Sequence, residues 1–329
     1  MDNFHFSRPT SLVEATAITP PPTGAFRFIA GGTTLVDLMK LGVETPSLLV
    51  DINTLPLDTI EQTSDGCLKI GALVRNSALA QHPTVLRNYA VLSQALLSGA
   101  SPQLRNMATT GGNLMQRTRC IYFRDTVYAC NKRNPGSGCS AIDGHNRTLA
   151  ILGTSEHCIA TNPSDMNVAL TALDATVHVQ NRGRARSIPI QNFFLLPGDT
   201  PHLEHPLESG DLITHVTLPP PIPGTQTVYL KLRDRASYEF ALSSAAVVLG
   251  ISDGKIHRAQ LAMGGIATRP WRSSEAEHLL QGHAPSTALF RQAAETALHG
   301  AHPRSENGFK IELAKRCLVR ALTLATKTA

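Results

Sequence analysis

The chain has 329 residues, of which 42% are hydrophobic and 17% charged, and it carries a formal net charge of +5. This length exceeds one ordinary core and predicts two or three domains, and the balance of residue types excludes a disordered chain. Six cysteines are too few for a disulfide scaffold. The basic residues are spread along the chain, which favours an acidic protein partner at least as much as nucleic acid.

The sequence predicts neither a membrane span nor a secretion signal. No apolar run approaches the roughly 20 residues that cross a bilayer. The first six residues have neither the basic nor the apolar region of a signal peptide. We therefore expect a chain that is made in the cytoplasm and, by its own signals, stays there.

The N-terminal part alternates short apolar strands with helices. A strand predicted over 26–29 runs into a Gly-Gly turn, after which Thr33 or Thr34 caps a helix. Apolar spacing predicts two further strands and one helix, over 48–52, 68–73 and 84–98.

Two Thr-rich Gly-Gly turns have the chemistry of a phosphate site. Glycine lets the backbone approach a phosphate closely, and amide and hydroxyl groups supply donors. An ordinary strand–helix turn is the alternative, and the third glycine of a Rossmann fingerprint is absent. Because the motif occurs twice, it predicts a dinucleotide site that grips both halves of a pyrophosphate. The candidate residues are Ala30, Gly31, Gly32, Thr33, Thr34 and Leu35 in the first turn and Thr109, Thr110, Gly111, Gly112 and Asn113 in the second.

Four cysteines lie in a polar stretch of the middle third of the chain: Cys120, Cys130, Cys139 and Cys158. All three gaps exceed the two to four residues that separate paired ligands of structural zinc. An iron–sulfur cubane is larger than a zinc ion and tolerates wide spacing. The pattern therefore leaves three readings open, which are an iron–sulfur cluster, a zinc ion and unbound thiols. We expect this stretch to be too poor in apolar residues to fold around a core of its own, so that a metal centre would have to hold it together.

Three basic residues lie near the four cysteines, and two further cysteines lie elsewhere in the chain. Lys132, Arg133 and Arg147 would favour thiolates and offset the charge of a cluster, or they form a solvated basic loop. Cys67 and Cys317 fall in apolar patterns, which predicts that both are buried structural thiols.

Beyond the cysteines the chain returns to regular elements. A short helix is predicted to begin at Ser164 or Asp165, and the Asp165 carboxylate either caps it or holds sugar hydroxyls. A hairpin over 176–190 and a strand over 212–218 follow. The proline-rich stretch 219–224 reads as a stiff linker. Strands over 228–233, 240–251 and 256–263, then helices near 273–282, 286–299 and 309–326, predict an α+β domain.

Four motifs, taken together and in this order, resemble one known family. They are the two Gly-Gly motifs, the Pro163-Ser-Asp165 motif, and the Lys231-Leu-Arg233 segment with the Ser-Tyr pair that follows it. It is the FAD-binding subunit of the xanthine dehydrogenase, or molybdenum hydroxylase, family. The resemblance covers nearly the whole chain and implies an α+β fold. A PCMH/VAO-type FAD-binding domain of two subdomains would span residues 1–220, with a [4Fe–4S] insertion at about 115–160. A domain like the C-terminal domain of carbon monoxide dehydrogenase flavoproteins would span residues 226–329.

The resemblance also implies roles for single residues. The two Gly-Gly segments would hold the FAD pyrophosphate, Asp165 the sugar-like portion, and Ile213 and Lys231 would contact the flavin. Most such subunits lack the cysteine block, and those that have it carry an additional [4Fe–4S] cluster. The block resembles most that of the bacterial periplasmic aldehyde oxidoreductases, which implies that Cys120, Cys130, Cys139 and Cys158 are cluster ligands.

The implied function is electron transfer without catalytic residues in this chain. A large partner subunit with a molybdenum cofactor would oxidise the substrate, and a small partner with [2Fe–2S] clusters would pass electrons to FAD and on to an external acceptor. Such a complex can be exported to the periplasm on a partner's signal. Two alternatives are a self-sufficient flavin reductase of the same FAD fold and a non-enzymatic scaffold with a Cys₄ zinc site.

Overall fold

The computed structural model describes residues 1–19 and 25–327. The first part of the chain forms a parallel three-stranded sheet in the order β1-β3-β2, with a helix after each of its first two strands. The end of β2 leads directly into the first Gly-Gly turn, so the sheet presents this turn at its edge. The elements are β1 His5–Ser7, α1 Leu12–Ala17, β2 Phe26–Ile29, α2 Leu35–Lys40 and β3 Leu48–Asp51.

A second sheet has five antiparallel strands in the order β4-β5-β8-β6-β7. Residues from distant parts of the chain meet in it, because β5 pairs with β8 across more than 140 positions of sequence. The strands are β4 Ile60–Gln62, β5 Leu68–Gly71, β6 Thr176–Asn181, β7 Arg184–Pro189 and β8 Leu212–Leu218. The predicted hairpin and the predicted strand over 212–218 are confirmed.

Short helices surround this second sheet, and the single helix predicted over 84–98 is wrong. Two helices stand there, because Tyr89 leaves the helical conformation at φ −138° and ψ 43°. The Tyr89 hydroxyl donates to the carbonyl of Pro219 at 2.7 Å, a tertiary contact that apolar periodicity does not encode. The helices are α3 Asn76–Gln81, α4 Pro83–Asn88, α5 Ala90–Ser98, α6 Pro102–Met107, α7 Thr110–Leu114, α8 Ile121–Arg124, α9 Asp165–Ala172 and α10 Ile190–Phe193.

The C-terminal third is a four-stranded antiparallel sheet covered by helices, as predicted. Asp253 and Gly254 both have positive φ, which is the conformation of a type I′ turn between the two longest strands. The elements are β9 Thr225–Leu232, β10 Ser243–Ser252, β11 Lys255–Gly264, β12 Trp271–Arg272, α11 Ser274–Leu280, α12 Thr287–Ala297 and α13 Phe309–Lys327.

The strand β10 joins the two largest cores of the molecule. Ala246 and Val248 pack into the core of the five-stranded sheet, whereas Ala245 and Val247 pack under the C-terminal helices. This alternation follows from the period of two along a strand, and it explains why the whole stretch is apolar. The C-terminal sheet is therefore held against the part of the molecule that carries the Gly-Gly turns.

The cysteine-containing segment has little regular structure but does have a core of its own. Tyr122, Phe123, Leu149 and Ile159 are buried there together with Leu38 of α2. The expectation that this segment is too poor in apolar residues to form a core is wrong, because its apolar residues lie at both ends and meet only in three dimensions. No helix in the ranges 1–19 and 25–327 is long and apolar enough to cross a membrane.

Candidate functional site

A large cleft opens between the first sheet and the five-stranded sheet. It encloses about 1680 Å³, measured out to its open mouth. The two Gly-Gly turns, which are about 80 positions apart in sequence, both reach it. The predicted site residues that line the cleft are Ala30, Gly31, Gly32, Thr33, Thr34, Leu35, Thr109, Gly111, Gly112 and Ile213.

The first Gly-Gly turn offers free donors to this cleft. Within the described part of the chain, the backbone N–H groups from Gly31 to Leu35 have no hydrogen-bond acceptor. Gly32 has φ of 70°, which glycine adopts without strain, and Thr34 begins α2 without a side-chain capping bond. Several unpaired amides in one half-buried turn, with two hydroxyls beside them, are a ready anion site. This turn fits a phosphate group.

The second Gly-Gly turn is different, because its amides are already bonded inside the protein. Thr110 N donates to Val74 O at 2.9 Å, Gly111 N to Ala72 O at 2.8 Å and Gly112 N to the Thr109 hydroxyl at 3.2 Å. Thr110 is fully buried, and neither it nor Asn113 lines the cleft. The second turn therefore contributes the backbone of its glycines and the Thr109 side chain to the cleft wall. It does not contribute a set of free N–H donors.

The two turns touch each other, which fixes the shape of this end of the cleft. A Cβ atom on Gly31 would lie 2.0 Å from the carbonyl oxygen of Met107, just before the second turn. Only glycine fits at such a distance from backbone. The requirement for glycine at position 31 is therefore a packing requirement, whereas at Gly32 it is conformational.

Asp165 and Lys231 form a buried ion pair away from the cleft. Lys231 Nζ lies 2.8 Å from Asp165 Oδ2, and the Tyr229 hydroxyl donates to Asp165 Oδ1 at 2.5 Å. Ser164 rather than Asp165 caps α9, since its hydroxyl accepts from Asn167 N at 3.1 Å. Burial, and next the Asp165 charge, raise the pKa of Tyr229.

Asp165 lines a second cavity of about 770 Å³, and Lys231 lines neither this cavity nor the cleft. A third cavity of about 560 Å³ lies between the two and shares walls with both. Met115 and Glu204 line the third cavity and the cleft, and Asn162 and Pro163 line the third and the second cavities. The residues that were predicted to contact FAD therefore lie around adjoining cavities and do not all line one cavity.

The four predicted cysteine ligands line one small cavity of about 280 Å³, measured out to its mouth. Cys120, Cys130 and Cys158 are buried, Cys139 is partly buried, and Cys130 faces Cys139 across an isolated antiparallel bridge. Burial raises the pKa of the Cys120 thiol to about 12 and also raises the pKa of Cys139 and of Cys158. In the described part of the chain, no three His, Cys, Asp or Glu side chains converge closely enough to hold a single metal ion.

The four thiols stand around a space instead of meeting at a point, among the buried side chains of Tyr122, Phe123 and Ala160. Four cysteines around one space are a donor set of the kind that iron–sulfur clusters use.

Of the three cations predicted to attend the cysteines, Lys132 lines the cavity. Its charge opposes the rise that burial causes in the pKa of Cys158. Arg133 instead donates to the carbonyls of Tyr122 and Phe123 at 2.8 Å, and Arg147 pairs with Asp234.

The two remaining cysteines differ from each other. Cys317 is buried at 1% exposure, as predicted. The same prediction for Cys67 is wrong, because Cys67 is partly exposed at the turn before β5, where its thiol lies 3.5 Å from Asp65 Oδ2. A similar apolar neighbourhood in sequence therefore lies inside helix α13 around Cys317 and at the turn before strand β5 around Cys67.

Six charged residues that line the cleft were not identified from the sequence: Arg27, Glu44, Arg117, Glu204, Glu208 and Asp211. The first four form consecutive ion pairs. Arg117 reaches its two carboxylates across 73 and 87 positions of sequence. No local motif signals such pairs, since each residue alone looks like an ordinary surface charge.

Comparisons with known proteins agree with this architecture. Residues 2–221 match the family model of the FAD binding domain in molybdopterin dehydrogenase, and residues 228–325 match that of the CO dehydrogenase flavoprotein C-terminal domain. The chain is 51% identical over 331 residues to the aldehyde oxidoreductase FAD-binding subunit PaoB of Escherichia coli strain K12, with 100% of both chains covered. It is 27% identical to the glyceraldehyde dehydrogenase medium chain of Sulfolobus acidocaldarius, covering 92% of this chain and 90% of that one.

The fold has close counterparts among solved structures. A chain of carbon monoxide dehydrogenase from Hydrogenophaga pseudoflava superimposes with a TM-score of 0.78 at 24% identity, covering 99% of this chain and 98% of that one. The predicted α+β fold, an FAD-binding part followed by a smaller flavoprotein C-terminal part, is confirmed. The family matches and the 51% identity show that the chain belongs to the FAD-binding subunits of the molybdenum hydroxylase family of oxidoreductases.

Proposed function

We propose that this chain is the electron-transfer subunit of a molybdenum hydroxylase complex that oxidises aldehydes, and that it carries FAD and one [4Fe–4S] cluster. The observation that carries the proposal is the first Gly-Gly turn, whose unpaired amides from Gly31 to Leu35 open onto the large cleft. The identity to an aldehyde oxidoreductase FAD-binding subunit supports aldehydes as the substrate class of the complex.

The residues that would hold FAD divide into two groups. The first turn, with the hydroxyls of Thr33 and Thr34, would bind the pyrophosphate, and Thr109, Gly112 and Ile213 would line its surroundings. Asp165 and Lys231 would meet the sugar-like portion or the flavin from the second cavity, although each already has a protein partner. Bound FAD would supply the redox chemistry, while these residues bind it and exclude water.

The cysteine cavity would hold the [4Fe–4S] cluster through Cys120, Cys130, Cys139 and Cys158. Four thiols around one small cavity support this proposal. Lys132 would offset part of the negative charge that four thiolates bring into a buried site.

The domain boundaries and partners belong to the same proposal. An FAD-binding domain would span residues 1–220, with the [4Fe–4S] insertion at about 115–160, and the C-terminal domain would span 226–329. The absence of helix or strand from 219 to 224, within the described residues, supports the boundary. A large molybdenum subunit would oxidise the aldehyde, and a small [2Fe–2S] subunit would deliver electrons to FAD and thence to an external acceptor. The complex would work in the cytoplasm, or in the periplasm after export on a partner's signal.

One absorption spectrum with metal analysis tests the cofactor content. Purified chain should show flavin bands, a broad iron–sulfur absorbance and about four irons per chain. Flavin without iron would overturn the proposed cluster and leave an electron-transfer subunit that carries FAD alone. A colourless protein that contains zinc would support the scaffold alternative and overturn the proposal.

A further inference from the structure

Cys130 and Cys139 lie directly opposite each other in a short antiparallel bridge. On either side of this pair, the neighbouring residues are joined by backbone hydrogen bonds of 2.7 and 3.1 Å, which are Asn131 N to Gly138 O and Ser140 N to Ala129 O. This pattern makes the cysteines a non-hydrogen-bonded pair, in which the two Cα atoms lie about 4.5 Å apart and the side chains approach closely. That separation is within the range that a disulfide bridges.

The loop between the two cysteines holds the pair in place. Cys130 N donates to the Ser137 hydroxyl at 3.1 Å, and Asn134 N donates to the Cys130 carbonyl at 2.8 Å. Gly138 N donates to Asn131 Oδ1 at 2.8 Å, and Gly138 has φ of 97°, which glycine adopts without strain. All these bonds are made by the protein itself, so they keep the two cysteines opposite each other with or without a cluster.

The cysteines of the cavity differ in access and in partners. Cys139 is partly exposed, whereas Cys130 is 7% exposed. Cys120 stands at the N-cap of α8, and Cys158 is bridged to Ser155, so within the described residues neither has a cysteine as its cross-strand partner. A dissolved reagent therefore reaches Cys139 first, and Cys130 is the thiol positioned to react with it next.

We propose that Cys130 and Cys139 are a redox-active pair that closes to a disulfide when the chain carries no cluster, and that this disulfide blocks cluster insertion until a reductant opens it. The pairing rests on the bridge between the two residues. The block on insertion rests on the proposed function, because it requires both cysteines to be cluster ligands.

The oxidant is a small disulfide such as oxidised glutathione. The Cys139 thiolate attacks one sulfur of this disulfide, its S–S bond breaks, and one glutathione leaves as a thiolate. The Cys130 thiolate then attacks the Cys139 sulfur of the mixed disulfide and releases the second glutathione. The net change converts two cysteine thiols and one oxidised glutathione into one protein disulfide and two glutathione thiols, so two electrons and two protons end on glutathione.

The test begins with the full chain, freed of iron by a chelator and a thiol reductant, then freed of both and incubated with oxidised glutathione. Trypsin cleaves after Lys132 and Arg133, so each cysteine of the cavity falls in a different peptide. The peptides are 120–124, 125–132, 134–147 and 148–182. Mass spectrometry without reductant should find 125–132 joined to 134–147 at least about tenfold more often than any other pair.

Cys67 is the matched control in the same sample. It is partly exposed, as Cys139 is, but its thiol lies beside Asp65 Oδ2 at 3.5 Å instead of opposite a cysteine. Cys67 should therefore keep glutathione as a mixed disulfide, because no second thiol displaces it. Cys130→Ser should stop at the mixed disulfide on Cys139 for the same reason, and Cys120→Ser should still close the Cys130–Cys139 disulfide.

A second measurement tests the block on cluster insertion. Oxidised and reduced samples of the iron-free chain are mixed with a scaffold protein that donates a preformed [4Fe–4S] cluster, in the absence of free thiol and sulfide. The oxidised chain should take up at least about tenfold less iron, and treatment with a phosphine reductant should restore uptake.

The outcomes separate this inference from the proposed function. Glutathione that remains on Cys139 of the wild-type chain, or an equally abundant cross-link to Cys120 or Cys158, would overturn the inference and leave the proposed function intact. Equal iron uptake by the oxidised and reduced chains would also overturn it. A reduced chain that accepts no cluster would overturn the proposed cluster and the block on its insertion, whereas the disulfide itself is read from peptide masses alone.

Discussion

The cleft and the cysteine cavity lie on either side of the Lys132–Glu204 ion pair, yet they are built in opposite ways. The cleft is open, and its donors are main-chain amides of one contiguous turn, from Gly31 to Leu35. The cysteine cavity is small, and its four cysteine side chains, from positions 120 to 158, are brought together by an apolar core. A site made of backbone is broken by an added Cβ atom, whereas a site made of side chains is broken by exchange of a ligand.

The largest effect is expected from the four cysteines that we propose as cluster ligands. Cys130→Ser should lower the iron content toward zero, because a serine hydroxyl is a poor replacement for a thiolate ligand. FAD should still bind, with affinity reduced about tenfold at most. The measurement is iron and flavin content of the same purified sample.

Cys67→Ser and Cys317→Ser are the controls for this change. Neither residue lines the cysteine cavity, so both variants should retain full iron. Full iron in Cys130→Ser together with iron loss in Cys317→Ser would contradict the assignment of the cluster.

At the first Gly-Gly turn we expect the opposite result, in which FAD is lost and iron is kept. Gly32→Val forces a β-branched residue to a φ of 70° and places its Cβ 3.2 Å from Val36, so the turn must change shape. We expect this variant to lose FAD, with affinity at least about a hundredfold lower, and to keep its iron.

The second turn provides the comparison for this prediction. A Cβ atom at Gly112 would approach only the Thr109 hydroxyl, at 2.9 Å, and the amides of this turn are already bonded internally. Gly112→Ala should therefore weaken FAD binding only about threefold to tenfold. Equal losses in the two variants would show that the turns contribute alike and that the free amides do not decide binding.

The smallest effect concerns how the cysteine segment is held in place. Lys310 is fully buried and donates to the carbonyls of Thr148 and Leu149 at 2.9 Å and of Gly265 at 2.5 Å. Lys310→Met leaves these carbonyls without their donor, which costs roughly 1–3 kcal/mol of folding free energy. Iron and FAD content of the folded variant should be unchanged.

The same substitution should alter the dependence of stability on pH. Burial, and next the charge of Arg147, lower the pKa of Lys310 from 10.5 to about 7. Between these values the unfolded chain holds a proton that the folded chain has released, so the contribution of this group to stability rises with pH. The midpoint temperature of thermal unfolding of wild type, minus that of Lys310→Met, should therefore increase from pH 7 to pH 10. A constant difference across this range would count against the lowered pKa.

The two sites were predictable from sequence to different degrees. Backbone sites are encoded locally, and so the motif around Gly31 and Gly32 predicted the cleft residues that the structure places there. The cysteines could be identified by residue type, but their enclosure depends on Phe123, Leu149 and Ile159, which meet only after folding.

Features that depend on long-range partners could not be predicted. The two Gly-Gly turns look alike in sequence, although the amides of the second turn donate to Ala72 and Val74 on a distant segment. Arg117 and Glu204 likewise carry no local signal, because their partners lie more than 70 positions away. Such pairings are set by the tertiary fold, and no local spacing reports them.

The most direct test of the central claim is anaerobic stopped-flow reduction of the isolated chain. The chain should accept electrons from dithionite and pass them to an artificial dye, but an aldehyde should not bleach its flavin absorbance. When the same chain is combined with the proposed molybdenum and [2Fe–2S] partner subunits, aldehyde should bleach its flavin absorbance within one turnover. Bleaching of the isolated chain by an organic substrate would contradict an electron-transfer role and would place substrate oxidation in this subunit.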